Sequence, residues 1–281
     1  MTKRKHTASD SGNRKKNQHS TDERTPGRGR GTGKSKKSGK TGGSPWIYGL
    51  HAVLAALANP DRRCHRLLVT PQVRAEKGPY LEQLARDKGL QPEVMERENI
   101  DHHLHYGSVH QGMALLADPL HTPMIEDICK DGASPVIILD QATDPRNIGA
   151  VLRSAAAFGA SAVVVQDRHA PEATGVLAKA ASGAMELVPL VRVTNLSRAL
   201  QTLKDGEYWC VGLDGSADKN LGEADLSGKI ALVLGAEGAG LRRLVRESCD
   251  LLVRIPISEK MESLNISNAA AVALYELSRG K

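Results

Sequence analysis

Two segments decide the fold: residues 232–244, LVLGAEGAGLRRL, and residues 252–277, LVRIPISEKMESLNISNAAAVALYEL. Their pattern reads strand, glycine loop, helix, strand, loop, helix. Gly235, Gly238 and Gly240 close an apolar run, and one carboxylate, Glu237, stands among them. Ser263, Asn265 and Ser267 crowd the start of the last helix. An apolar strand that ends in glycines and a carboxylate points to a ligand pocket rather than a plain turn.

Upstream, the same alternation holds. PVIILD, from Pro135, is a continuous apolar run ended by a carboxylate, as expected of a strand buried on both faces. In the ATDPRNIGAVLRSAAAFGA that follows, Asp144 reads as an N-cap and Pro145 as the first helical residue. Ile148, Val151, Leu152 and Ala155 form its apolar stripe. Arg146 and Arg153, seven apart, share the other side with Asn147 and Ser154 beside them. That face starts at a strand's carboxyl end, where α/β sheets bind ligands; a plain solvated basic face gives the same pattern. SAVVVQ, ELVPLVRV (broken by Pro189), YWCVGLDGS, LSGKIALVLGAE and LLVRIPI supply strands. PEATGVLAKAASGAM, NLSRALQTLKDG, GLRRLVRESCD and the final segment supply helices. In GLRRLVRESCD the inward face is expected at Leu241, Leu244 and Val245. In the final helix it is expected at Leu264, Ala270 or Ala271, Leu274 and Leu277. The result is a doubly wound, mainly parallel sheet over residues 135–281.

Residues 45–118 read as a separate small α/β domain. A helix follows WIYG and stops at Asn59-Pro60; CHRLLVT, QPEVM and GMALLAD are strands; PYLEQLARDKGL and ENIDHHLHY are helices. Residues 119–134 read as a linker with one short helix at 124–130. His102, His103, His105 and His110 give no HxxxH pair on one helical face, so a surface helix, with one imidazole facing RNA, is expected rather than a metal site.

Charge is uneven. Of 38 Lys and Arg and 32 Asp and Glu, residues 1–44 hold 13 against 3, and the other 237 residues hold 25 against 29. The basicity is a tail, expected to be disordered and suited to phosphate by counterion release; a solubilising leader is the alternative. Aromatics at 3% argue against a base-stacking platform. Four scattered cysteines without a CxxC pair, no apolar run of membrane length and no secretory leader point to the cytosol. GAEGAG inverts the dinucleotide fingerprint, and neither a P-loop nor a nucleophile elbow is present.

Three blocks resemble the SpoU, or TrmH-like, RNA ribose 2′-O-methyltransferases of the SPOUT class: LDQATDPRNIGAVLRSAAAFGA with Asn147 and Arg153, LVLGAEGAGLRRL with Glu237, and RIPISEKMESLNISNAAAVALYE with Ser263, Leu264 and Asn265. YGLHAVLAAL and VHQGMALL resemble the L30e-like RNA-binding domain of members that methylate a guanosine ribose in large-subunit ribosomal RNA. The resemblance covers about residues 46–281 and implies a trefoil-knotted α/β domain behind an L30e-like one. It implies S-adenosyl-L-methionine as cofactor, touched by Gly235, Ile255 and Leu264. It implies Arg153 as the catalytic residue, Asn147, Glu237 and Asn265 as orienting groups, and a homodimer whose site borrows residues from the partner chain. The family has been credited with an arginine base, but a guanidinium stays protonated; phosphate binding and alkoxide stabilisation suit Arg153 better. Ser263 either orients substrate or caps the last helix. The substrate implied is 23S ribosomal RNA or its precursor particle. Transfer RNA, or a silent RNA-binding assembly role, are the alternatives. The loop ISEKMESLN departs from relatives in its charged Glu259, Lys260 and Glu262.

Overall fold

The structure, a computed structural model, describes residues 46–131, 135–168, 170–171 and 175–279. The expected disordered tail lies outside these residues.

Residues 46–117 form a four-stranded mixed sheet. Its strands are β1 (Trp46–Tyr48), β2 (Cys64–Val69), β3 (Pro92–Val94) and β4 (Met113–Ala117), in the order β1-β4-β2-β3. Only the β2–β3 pair is parallel. Period-two alternation sends Ile47, Leu67, Val69, Met113 and Leu115 to one face, under α1 (Leu50–Ala58) and α2 (Pro71–Asp87). Tyr48, Leu68 and Ala114 go to the other, under Ile100 of α3 (Arg97–Asp101).

Helix α2 starts two turns before the expected PYLEQLARDKGL. Thr70 caps it, its hydroxyl accepting from the Val73 N–H at 3.4 Å, and Pro71 takes the first helical position. Pro79 is carried inside the helix, because Val73, Leu81 and Ala85 keep one buried stripe across it. The histidine cluster divides: His102, His103 and His105 are exposed, as a surface helix requires, but His110 is fully buried. Among the described residues no group of three or more His, Cys, Asp or Glu could hold a metal ion.

The second sheet is wholly parallel. It contains β5 (Val136–Leu139), β6 (Ala162–Gln166), β7 (Leu190–Val193), β8 (Trp209–Leu213), β9 (Ile230–Leu234) and β10 (Leu251–Val253), in the order β10-β8-β9-β5-β6-β7. One face packs on α5 (Pro145–Ala157), α6 (Gly175–Ala181) and α9 (Ile266–Ser278). The other packs on α4 (Ile125–Asp131), α7 (Leu196–Asp205) and α8 (Arg243–Glu247). The helix expected within 119–134 is therefore built into this core through Ile125 and Ile128. Leu244, expected inward, is exposed; α8 is too short to bury more than Val245 behind Leu241. In α9 the buried residues are Ile266, Ala270, Ala273 and Leu274, and Leu277 packs against the same core as expected. Pro189 precedes β7 instead of breaking it.

The topology fixes where a ligand can sit. From β5 the chain proceeds outward through β6 and β7, while β9 lies on β5's other side. The carboxyl ends of β5 and β9 therefore flank a switch point, the usual crevice of open parallel sheets. After β10, at the sheet edge, the chain returns past the ends of β8 and β9 to start α9, which packs on α5.

Candidate active site

The site begins with the turn after β9. A Cβ on Gly235 would lie 2.1 Å from the Gly240 carbonyl carbon and 2.4 Å from the Leu241 nitrogen. The first glycine is thus required by the loop's own return, since Ala236 and Gly240 exchange backbone hydrogen bonds at 2.9 and 3.1 Å. Gly238 and Gly240 take φ of 78° and 67°, the left-handed region that favours glycine.

The loop's far end is clamped. Asp140, fully buried at the end of β5, accepts from the Arg242 backbone N–H at 2.9 Å and from its Nε at 2.7 Å. Arg242 Nη2 also reaches Gln166 Oε1 at 2.8 Å. Neither role was read from the sequence; the signal was the carboxylate ending an otherwise apolar PVIILD.

Between these anchors Glu237 faces the start of α5. Its Oε1 accepts from Asn147 Nδ2 at 3.0 Å, Asn265 Nδ2 at 2.8 Å and the Ile266 N–H at 3.4 Å. Asn265 Nδ2 also donates to Asn147 Oδ1 at 3.1 Å, which closes a ring of three side chains. Asn265, not Ser263, is the N-cap of α9: its Oδ1 accepts from the Ser267 N–H at 2.8 Å and hydroxyl at 2.5 Å. Asn147 meets Glu237 and Asn265, 90 and 118 residues away, because β5, β9 and the return from β10 all end at the same edge.

Glu237 also lines a cavity of about 810 Å³. Gly235, Ile255 and Leu264 all line it, with Leu213, Glu237 and Ser263. Asp214, at the end of β8, is a further lining carboxylate that sequence reading passed over. Burial works against its charge, yet hydrogen bonds from Ser216 and Arg246 more than offset this and hold it below the usual carboxylate range. The Ser216 hydroxyl donates at 2.6 Å and Arg246 Nε at 2.6 Å.

Arg153 is elsewhere. It is exposed, two turns further along α5 than Asn147, roughly 9 Å at 1.5 Å per residue. It lines a second cleft of about 450 Å³ beside the end of α1. Its side chain makes no hydrogen bond or ion pair to another described residue. The chain therefore brings together Asn147, Glu237 and Asn265, and through Glu237 joins them to Gly235, Ile255 and Leu264, but does not bring Arg153 to either group.

Residues 134–275 match the model of the SpoU rRNA methylase family. The chain belongs to the SpoU rRNA methylase family. Residues 46–123 match the model of the RNA 2′-O ribose methyltransferase substrate-binding domain. Among curated SpoU relatives, the 23S rRNA (guanosine-2′-O-)-methyltransferase RlmB of Vibrio vulnificus is 41% identical over 240 residues, 83% of this chain and 96% of that one. Its counterpart from Haemophilus ducreyi is 40% identical over 244 residues, covering 85% and 98%. The fold is shared with the SpoU methyltransferase AviRb of Streptomyces viridochromogenes in complex with AdoMet: TM-score 0.71, 22% identity, 84% of this chain and 89% of that one. As a SpoU protein, the chain has its three motif blocks at the carboxyl edge of the parallel sheet.

Proposed function

We propose that the protein is an S-adenosyl-L-methionine-dependent methyltransferase that modifies the 2′-oxygen of a guanosine ribose in 23S ribosomal RNA. The observation that carries this reading is the Asn147–Glu237–Asn265 ring, whose Glu237 lines one cavity with Gly235, Ile255 and Leu264. Relatives of this length and similarity named for that reaction support the substrate.

The cavity fits the cofactor. Its volume is ample for a nucleoside-sized ligand. Leu213, Ile255 and Leu264 offer apolar surface to a purine, and the exposed backbone of 235–240 offers hydrogen bonds. Asp214 and Glu237 place negative charge near a cation. When bound, S-adenosyl-L-methionine supplies an electrophilic methyl group on a sulfonium sulfur.

The chain's own groups do the positioning. Asn147 and Asn265 both donate to one oxygen of Glu237, so that carboxylate is an organiser of the site. Arg153 binds a substrate phosphate and stabilises negative charge growing on the 2′-oxygen; a guanidinium does not accept the proton, which passes to phosphate or water. In-line geometry supplies the rest of the acceleration. Because Arg153 is remote from its own cavity, the working enzyme is a homodimer in which it serves the partner's site.

On this reading residues 45–118 are an L30e-like RNA-binding domain, 119–134 a linker and 135–281 a methyltransferase domain whose return from β10 is threaded as a trefoil knot. The free RNA or a precursor particle is met in the cytoplasm; no described helix is long and apolar enough to cross a membrane.

The test is transfer of labelled methyl from S-adenosyl-L-methionine to ribosomal and transfer RNA from cells lacking the protein. Label at a ribose of large-subunit RNA is expected. Label confined to transfer RNA contradicts the substrate, and no transfer with intact cofactor binding to either free RNA or precursor particles contradicts the activity.

A further inference from the structure

Residues 46–118 have their own sheet, yet they are built into the catalytic half. A Cβ on Gly175, the first residue of α6, would lie 2.3 Å from the Tyr48 ring and 2.7 Å from the Trp46 carbonyl oxygen. One on Gly183 would lie 2.6 Å from Ala55 Cβ. Ala178 of α6 belongs to the core of the first sheet, and Met185 packs against both cores. Contact this close is that of one folded body, not of two modules on a tether.

At the end of this contact is a buried ion pair. The side chains of Arg62 and Glu186 are 5% and 6% exposed, at 2.5 Å. Glu186 accepts from Arg62 Nε at 3.2 Å and Nη2 at 2.5 Å, and from Asn59 Nδ2 at 2.7 Å. Arg62 Nη1 donates to the carbonyl of Asp118 at 2.8 Å, where the first half hands over to the connection. Charges removed from water add little net attraction, but such a satisfied pair tolerates only one geometry. Its elements are also walls of the Arg153 cleft: Ala55, Asn59 and Pro60 on one side, Gly183 and Glu186 on another, with Arg153 and Ala156 of α5 facing them.

We propose that Arg62, Glu186 and Asn59 form a positioning clamp. It holds the first half against α5, so that RNA meets the Arg153 guanidinium against a fixed wall. The proposal rests on the RNA methyltransferase reading. These three are positioning residues: the clamp acts on RNA capture and not on the cofactor cavity, from which it is separate.

The test uses the full chain with Glu186→Gln, with the exchange pair Arg62→Glu/Glu186→Arg, and with Asn59→Ala, which removes a single hydrogen bond. Three readouts are needed: KM and kcat with 23S RNA transcribed in vitro, calorimetric affinity for S-adenosyl-L-methionine, and small-angle scattering. Glu186→Gln is expected to raise KM for RNA about tenfold, with kcat at saturating RNA and cofactor affinity within about twofold and a larger radius of gyration. The exchange pair should regain part of the loss. If Glu186→Gln fails to fold, Asn59→Ala should still raise KM about threefold with cofactor affinity unchanged. Unchanged KM, or a raised KM accompanied by a fall in both kcat and cofactor affinity, overturns the clamp. Were the native protein to transfer no methyl to any RNA, the functional reading would fall. RNA-binding affinity and scattering of the same variants would then decide the clamp by themselves.

Discussion

The two clefts differ in how their polar groups are held. At the ends of β8, β9 and β10, Glu237 is taken up by Asn147, Asn265 and the Ile266 N–H, Asp214 by Ser216 and Arg246, and the loop anchor Arg242 by Asp140. In the cleft between α1 and α5, the Arg153 side chain extends to solvent with no hydrogen bond or ion pair to another described residue. A region whose charges are paired internally is shaped before its ligand arrives. A lone exposed guanidinium is a group whose partner comes from outside. On the proposed reading, the contrast is between a preorganised cofactor cavity and an arginine that awaits a substrate phosphate.

The sharpest way to break the comparison is Arg153→Ala. Loss of the group that stabilises developing charge should cut kcat by about 10²–10³-fold, with cofactor affinity unchanged by calorimetry. Arg153→Lys should lose most of that activity too, because an ammonium lacks the planar fork. Lost cofactor binding in Arg153→Ala would erase the distinction between the clefts.

Gly235→Ala strikes the other region. Its methyl must displace the Gly240–Leu241 backbone, so calorimetry should show cofactor affinity down about tenfold, and denaturant unfolding a cost of about 1–3 kcal/mol. Glu237→Ala should lower kcat/KM about tenfold, while Glu237→Gln, which keeps an accepting oxygen for the same donors, should lose less. Equal losses would mean that the charge matters rather than the ring. Asp140→Asn leaves Arg242 without its counter-charge; as that arginine is about one-third exposed, solvent limits the cost to about 2 kcal/mol, measurable by denaturant unfolding.

The smallest effect concerns the first half. Burial holds the His110 imidazole below its ordinary range, with Arg97 and Lys179 adding to this against Asp101. Its Nδ1 accepts from the Gly112 N–H at 3.1 Å. The unfolded chain takes the proton first, so this contribution to stability is whole above about pH 6.5 and is lost as pH falls from there towards the lower folded value. Melting temperature should drop over that window, and drop less in His110→Asn.

The parallel sheet was legible because PVIILD, SAVVVQ and LSGKIALVLG are apolar without alternation, which only a doubly covered strand permits. Glu237, Asn147 and Asn265 were legible as motif members, but their mutual hydrogen bonds were not, since strand order sets which loops meet. Gly235 was expected to make room for a ligand, and the structure assigns it first to the chain itself. Helix α2 starts earlier than its sequence suggests: Pro79 resembles a breaker, but the Thr70-Pro71 cap two turns earlier outweighs it. His110 sits among exposed histidines in sequence, and only the turn before β4 buries it. The Arg62–Glu186 pair had no sequence signal: each is an ordinary charge until residues 124 apart are packed together.

The most direct test of the split site is complementation between chains. Arg153→Ala and Gly235→Ala proteins, each impaired about tenfold or more alone at limiting S-adenosyl-L-methionine, are unfolded together, refolded as a mixture and assayed at that cofactor level for methyl transfer to 23S RNA. If Arg153 serves the partner's cavity, half of the dimers are mixed and each contains one intact site, so activity returns to about a quarter of the native level. If the mixture stays as inactive as its components, Arg153 and the cavity act within one chain, and the account of two separate clefts completed by a partner is wrong.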